Sequence, residues 1–185
     1  VLSVVIAVVS LRYFVLPETA PLLKLKTGVF RVALLAHAGA ALVALAVGPF
    51  QFSDRLRKRS PRAHRRMGYV YFAGVFLGGG VGLFSALGAE GGLSARVGFF
   101  LLGVGWLASA WMALAAIRRG DVAGHREWMV RNFALTFAAV TLRIWLPTLT
   151  AATGSFIDAY RTVAWLCWVP NAVVAESIVR CGARR

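Results

Sequence analysis

VALLAHAGAALVALAVGPFQF, residues 32–52, contains no Asp, Glu, Lys or Arg, and its one ionisable side chain is His37. At 1.5 Å of rise per residue, a helix of this length crosses the roughly 30 Å of hydrocarbon in a bilayer. A helix also satisfies its own backbone polar groups, which lipid cannot do. A second run, Val97 to Ile117, has the same character. Working outward from these two, the hydropathy predicts an all-α polytopic transmembrane bundle of about six spans, near 1–16, 30–52, 66–88, 97–117, 131–151 and 161–180. Nothing remains for a soluble domain, so 1–185 reads as a single membrane domain. The composition agrees: 59% of residues are hydrophobic and 15% charged, against about a quarter charged in soluble domains. The chain opens on Val1, so a natural amino terminus upstream is expected.

The net charge of +14 does not point to nucleic acid, because the cations gather in short loops, where orientation in a membrane is decided. Arg55, Arg57, Lys58, Arg59, Arg62, Arg65 and Arg66 follow the second span, Arg118, Arg119 and Arg126 the fourth, and Arg180, Arg184 and Arg185 the last. These segments share one side in a six-span topology, which predicts a cytoplasmic face and cytoplasmic termini. The opposite loops, GAEGGLSAR (88–96) and ATGSFIDAYR (152–161), carry few cations, although Lys24, Lys26 and Arg31 lie on that outer side. The basic loops are also expected to attract anionic lipid. Cys167 and Cys181 are about 21 Å apart along one helix, too far for a disulfide.

Two stretches within the basic loops match. In SPRAHRRMGYVY (60–71), Ser60 suits a helix cap and Pro61 the first helical position, so His64 falls in the opening turn. In DVAGHREWMVRN (121–132), Asp121 plays the cap and His125 again follows four residues later. Two imidazoles at one depth suit axial ligation of a b-type haem, with Arg65, Arg66 and Arg126 as partners for its propionates. The competing reading makes both histidines interface residues that touch lipid phosphate or loop carbonyls.

Ionisable groups inside spans are costly and need partners or a wet cavity. His37 and Arg143 are expected at similar depth from the outer surface, where they either line a pocket for a carboxylate, propionate or quinone oxygen, or are satisfied separately by a backbone carbonyl and by snorkelling. Glu176 falls near the level of Arg131, where an ion pair is expected. Asn171 follows Pro170, whose missing N–H frees a carbonyl that the amide can bond; Pro147 is expected to bend the fifth span. Gly74, Gly78 and Gly82 form a smooth stripe that lets another helix approach closely. The six tryptophans, Trp106 among them, mostly suit interfacial belts. No zinc-protease pair, nucleophile elbow or phosphate loop is present.

Taken together, HAGAALVALAVGPFQF (37–52), SPRAHRRMGYVY, RRGDVAGHREWMVRNFALTFAAVTLR (118–143) and AYRTVAWLCWVPNAVVAE (159–176) resemble the bacterial membrane family labelled domain of unknown function 2306, over about residues 30–180. The resemblance singles out His37, His64, Arg65, His125, Arg126, Arg131, Asn132, Arg143, Asn171 and Glu176. The arrangement is also similar to transmembrane cytochromes b, whose ligand histidines commonly sit deeper in their spans. The leading expectation is a haem-binding, redox-linked membrane protein with quinone as a partner. The alternatives are a non-catalytic accessory subunit that docks on a larger membrane complex through the glycine stripe, and a carrier of a small anion or lipid through His37 and Arg143.

Overall fold

A computed structural model describes residues 2–11 and 27–182. Among them the regular elements are helices: α1 (Leu2–Ser10), α2 (Gly28–Gln51), α3 (Asp54–Arg59), α4 (Pro61–Leu87), α5 (Leu93–Arg118), α6 (Val122–Thr136), α7 (Ala138–Thr153), α8 (Phe156–Leu166) and α9 (Val169–Gly182). Five stretches are long and apolar enough to cross a membrane: α2, α4, α5, the α6–α7 segment Val122–Thr153 and the α8–α9 segment Phe156–Gly182. The protein is an all-α integral membrane protein. Of the span expected over 1–16, only α1 is a described helix; Lys24, Lys26, Arg184 and Arg185 lie outside the described residues. The helices begin earlier than the apolar runs suggest, because capped polar turns extend them past the hydrocarbon: α6 starts at Val122 instead of near 131.

The chain divides into two compact units, residues 1–85 and 86–185. In the first, α1 packs on α2 and the expected glycine stripe on α4 meets α2. A Cβ on Gly74 would stand 2.9 Å from the Ala40 carbonyl oxygen and 3.2 Å from the Ala44 nitrogen. Leu45, Tyr71 and Val75 are fully buried around this contact, and Phe30 stacks on Phe84 with ring centroids 5.1 Å apart. The stripe therefore serves the chain's own helix pair. Its face is filled by α2 and does not offer the surface on which a partner complex was expected to dock.

In the second unit α5 packs along α6, α8 against both α5 and α7, and α9 against α6. Close approach again uses a glycine: a Cβ on Gly98 would stand 2.9 Å from the Ala164 carbonyl oxygen. Gly154, in the left-handed region at φ 68°, turns the chain out of α7, and the Ser155 hydroxyl then caps α8 by accepting from the Asp158 N–H at 3.3 Å.

Two of the spanning segments are interrupted, at Phe137 between α6 and α7 and at Cys167–Trp168 between α8 and α9. The second interruption precedes Pro170. Pro147, expected to bend its span, lies inside α7, and the first interruption falls earlier, at Phe137. Backbone groups loosened in a span must find partners within the protein, and here the two interruptions share them. The Thr141 hydroxyl donates to the Cys167 carbonyl at 2.5 Å. Asn171 Nδ2 lies within hydrogen-bonding distance of the Cys167 carbonyl (2.9 Å), Thr141 Oγ1 (3.2 Å) and the Ala134 carbonyl (3.3 Å). The amide thus reaches the carbonyl one turn before Asn171 itself and also ties α9 to α6 and α7.

Candidate functional site

The two His-Arg helix starts have the same local construction. Pro61 is the first residue of α4, and the His64 N–H donates to the Ser60 carbonyl at 3.0 Å. Asp121 caps α6 through Oδ1, which accepts from the Gly124 N–H at 2.8 Å, while the His125 N–H donates to the Asp121 carbonyl at 3.0 Å. A Cβ at Gly124 would overlap the Asp121 carboxylate. Gly124→Ala is therefore expected to dislodge the cap and cost about 1 kcal/mol of stability, the usual worth of a helix cap. Thermal unfolding in detergent checks this, and an Asp121→Ala background should remove the effect.

Both histidines are half-buried, whereas Arg65, Arg66 and Arg126 are exposed. Arg59, Arg62, Arg65 and Arg66 surround an open hollow at the start of α4. On the second unit, His125 Nδ1 lies 2.9 Å from the carbonyl of Ala113, a residue on α5 with no exposed surface. A carbonyl only accepts, so Nδ1 carries a proton, and in the neutral ring that leaves the lone pair on Nε2. His37 is held in the same way in the first unit: Nδ1 lies 2.8 Å from the Gly78 carbonyl, and a Cβ on Gly82 would stand 2.7 Å from that nitrogen. The His37 ring thus occupies the glycine stripe. Arg143, in the second unit, turns back on its own helix, with Nη1 donating to the Ala139 carbonyl at 2.7 Å. Each of these two residues engages a backbone carbonyl within its own unit.

The second unit also carries a cleft of about 330 Å³, lined in part by Ser109, Met112, Trp128, Arg131 and Glu176. Arg131 is held from three sides. Its Nε donates to Glu176 Oε2 at 2.9 Å, Nη1 lies 3.5 Å from Glu127 Oε2, and the guanidinium carbon sits 4.8 Å from the centroid of the Trp128 ring. Glu176 Oε1 accepts in turn from Arg180 Nε at 2.9 Å. The Arg131 side chain is 24% exposed and that of Glu176 39%. Pairs this open add little to stability, so the cluster's main effect is to fix where the guanidinium lies.

Behind the cleft lies a buried polar network in which Asn132 is joined by Trp106, Ser109 and Thr136. Asn132, fully buried, donates through Nδ2 to the Trp106 carbonyl at 2.7 Å and to Ser109 Oγ at 2.8 Å. Trp106 Nε1 donates to Thr136 Oγ1 at 2.8 Å, and the Thr136 hydroxyl donates to the Asn132 carbonyl at 3.1 Å. Trp106, expected in an interfacial belt, is instead 5% exposed inside the unit, because its indole N–H has a partner there. Polar residues facing between spanning helices are the signal that points to Ser109 and Thr136.

Comparison with known proteins adds a family and no closer relative. The description Predicted membrane protein (DUF2306) matches residues 34–179. No curated protein matches the chain, and no solved structure does so.

Proposed function

The chain belongs to the family Predicted membrane protein (DUF2306), and on that footing we propose that it binds a b-type haem in the bacterial cytoplasmic membrane, with both termini on the cytoplasmic side. The observation that supports this reading is the His125 ring. The Ala113 carbonyl holds Nδ1–H and leaves the Nε2 lone pair for a metal; histidine ligands are commonly oriented by such a bond from the other ring nitrogen. Haem, when bound, supplies one-electron redox chemistry. His125 would hold the iron through Nε2, and Arg126, exposed at the next position, would pair with a propionate. The sequence adds His64 as a further candidate ligand, from its equivalent place in the first turn of α4, with Arg65 and Arg66 beside it.

The test is the visible spectrum of protein expressed with ample haem and purified in detergent. His125→Ala and His64→Ala are each expected to reduce the Soret band strongly, and the double variant to abolish it. A double variant whose Soret band is undiminished would refute the proposal.

A further inference from the structure

The haem reading leaves the cleft on the second unit unused, yet its chemistry selects a class of ligand. Arg131 and Glu176 are the charged groups of its lining and pair with each other at 2.9 Å, so the charges balance. A carboxylate or phosphate that entered would meet the Glu176 carboxylate, and an ammonium would meet the Arg131 guanidinium. A head group without net charge escapes both penalties. A guanidinium has five N–H donors, and the two carboxylates engage only Nε and Nη1 of Arg131. Donors therefore remain for a carbonyl oxygen. The Trp128 ring against the guanidinium supplies a flat surface that suits a planar head. Gly105, Ala108, Met112, Leu135 and Ala172 complete an apolar lining that suits an alkyl tail. Every lining residue belongs to a segment long and apolar enough to cross a membrane, which suits a lipid-soluble ligand.

We infer that this cleft binds a lipid-soluble quinone, with a ring carbonyl on Arg131 and the tail along the wall formed by Ala108 and Ala172. The inference does not depend on haem, and it places the quinone within the second unit on residues other than His37 and Arg143.

Decylubiquinone, titrated into the detergent-purified full chain, tests it. Saturable quenching of tryptophan emission is expected, together with a rise in the thermal midpoint from preferential binding to the folded state. Trp128→Phe should lose most of the quenching while it keeps the midpoint rise. Ala108 is exposed on the cleft wall, so Ala108→Phe fills the cleft without entering the core; it is expected to weaken binding roughly tenfold or more. Ala172→Leu provides a second filling variant should Ala108→Phe lower stability without ligand. No saturable response from the parent protein, or unchanged affinity in a folded filling variant, overturns the inference. So does protection by dodecanoate or phosphatidylglycerol but not by decylubiquinone, which would make the cleft a lipid site.

Discussion

Replacing Gly74 with valine is expected to force α2 away from α4 and to lower the thermal midpoint of the purified protein by on the order of 10 °C. A Cβ at this position meets the Ala40 carbonyl oxygen at 2.9 Å and the Ala44 nitrogen at 3.2 Å, and backbone cannot swing aside as the end of a side chain can. Overpacking of this kind costs about 1–3 kcal/mol, and valine, branched at the crowded carbon, belongs at the upper end. Gly80 is the control on the same helix: a Cβ there meets nothing within 4 Å, so Gly80→Val should shift stability by only about 0.5 kcal/mol, as exposed substitutions do. Equal midpoints for the two variants would show that the glycine stripe does not set the approach of α2.

The second large effect is expected at Asn132. Its side-chain nitrogen holds the Trp106 carbonyl and the Ser109 hydroxyl together, and leucine supplies nothing to either. Hydrogen bonds between spanning helices are worth about 0.6 kcal/mol on average and up to about 1.7. Leaving buried acceptors short adds to that. Asn132→Leu should therefore cost about 2 kcal/mol in total. Ser109 limits the loss, because its hydroxyl proton keeps its own acceptors in the Gly105 and Trp106 carbonyls at 2.7 and 3.1 Å. The sharper readout is a double-mutant cycle with Ser109→Ala, where direct contact predicts a coupling of at least about 0.5 kcal/mol. Strict additivity would mean that the bond to Ser109 contributes nothing.

The membrane-crossing segments were legible because little besides a bilayer demands uninterrupted apolar composition over about 20 residues. Their ends were harder to read. Asp121 caps a helix whose first turns are polar, so the hydropathy that marks the span says nothing about where α6 begins. The break at Phe137 lies in FALTFAAVTLR, which has neither proline nor glycine, and what holds the broken ends is tertiary: Thr141 and Asn171, with the Cys167 carbonyl between them. At the candidate sites, the proximity of Arg131 and Glu176 followed from their depth in the spans, and the smoothness of the glycine stripe from its spacing. That the His37 ring fills the stripe depends on pairing α2 with α4 in register, which a single sequence does not specify. The cleft was invisible for the same reason, since α5, α6 and α9 each contribute a wall.

The most direct measurement of haem ligation is the ratio of haem to protein in the purified, folded chain, taken with its absorption spectrum. The prediction is about one haem per chain with the low-spin spectrum of two imidazole ligands, since three histidines cannot furnish two such centres. A folded chain from haem-replete cells that shows no Soret band would contradict it.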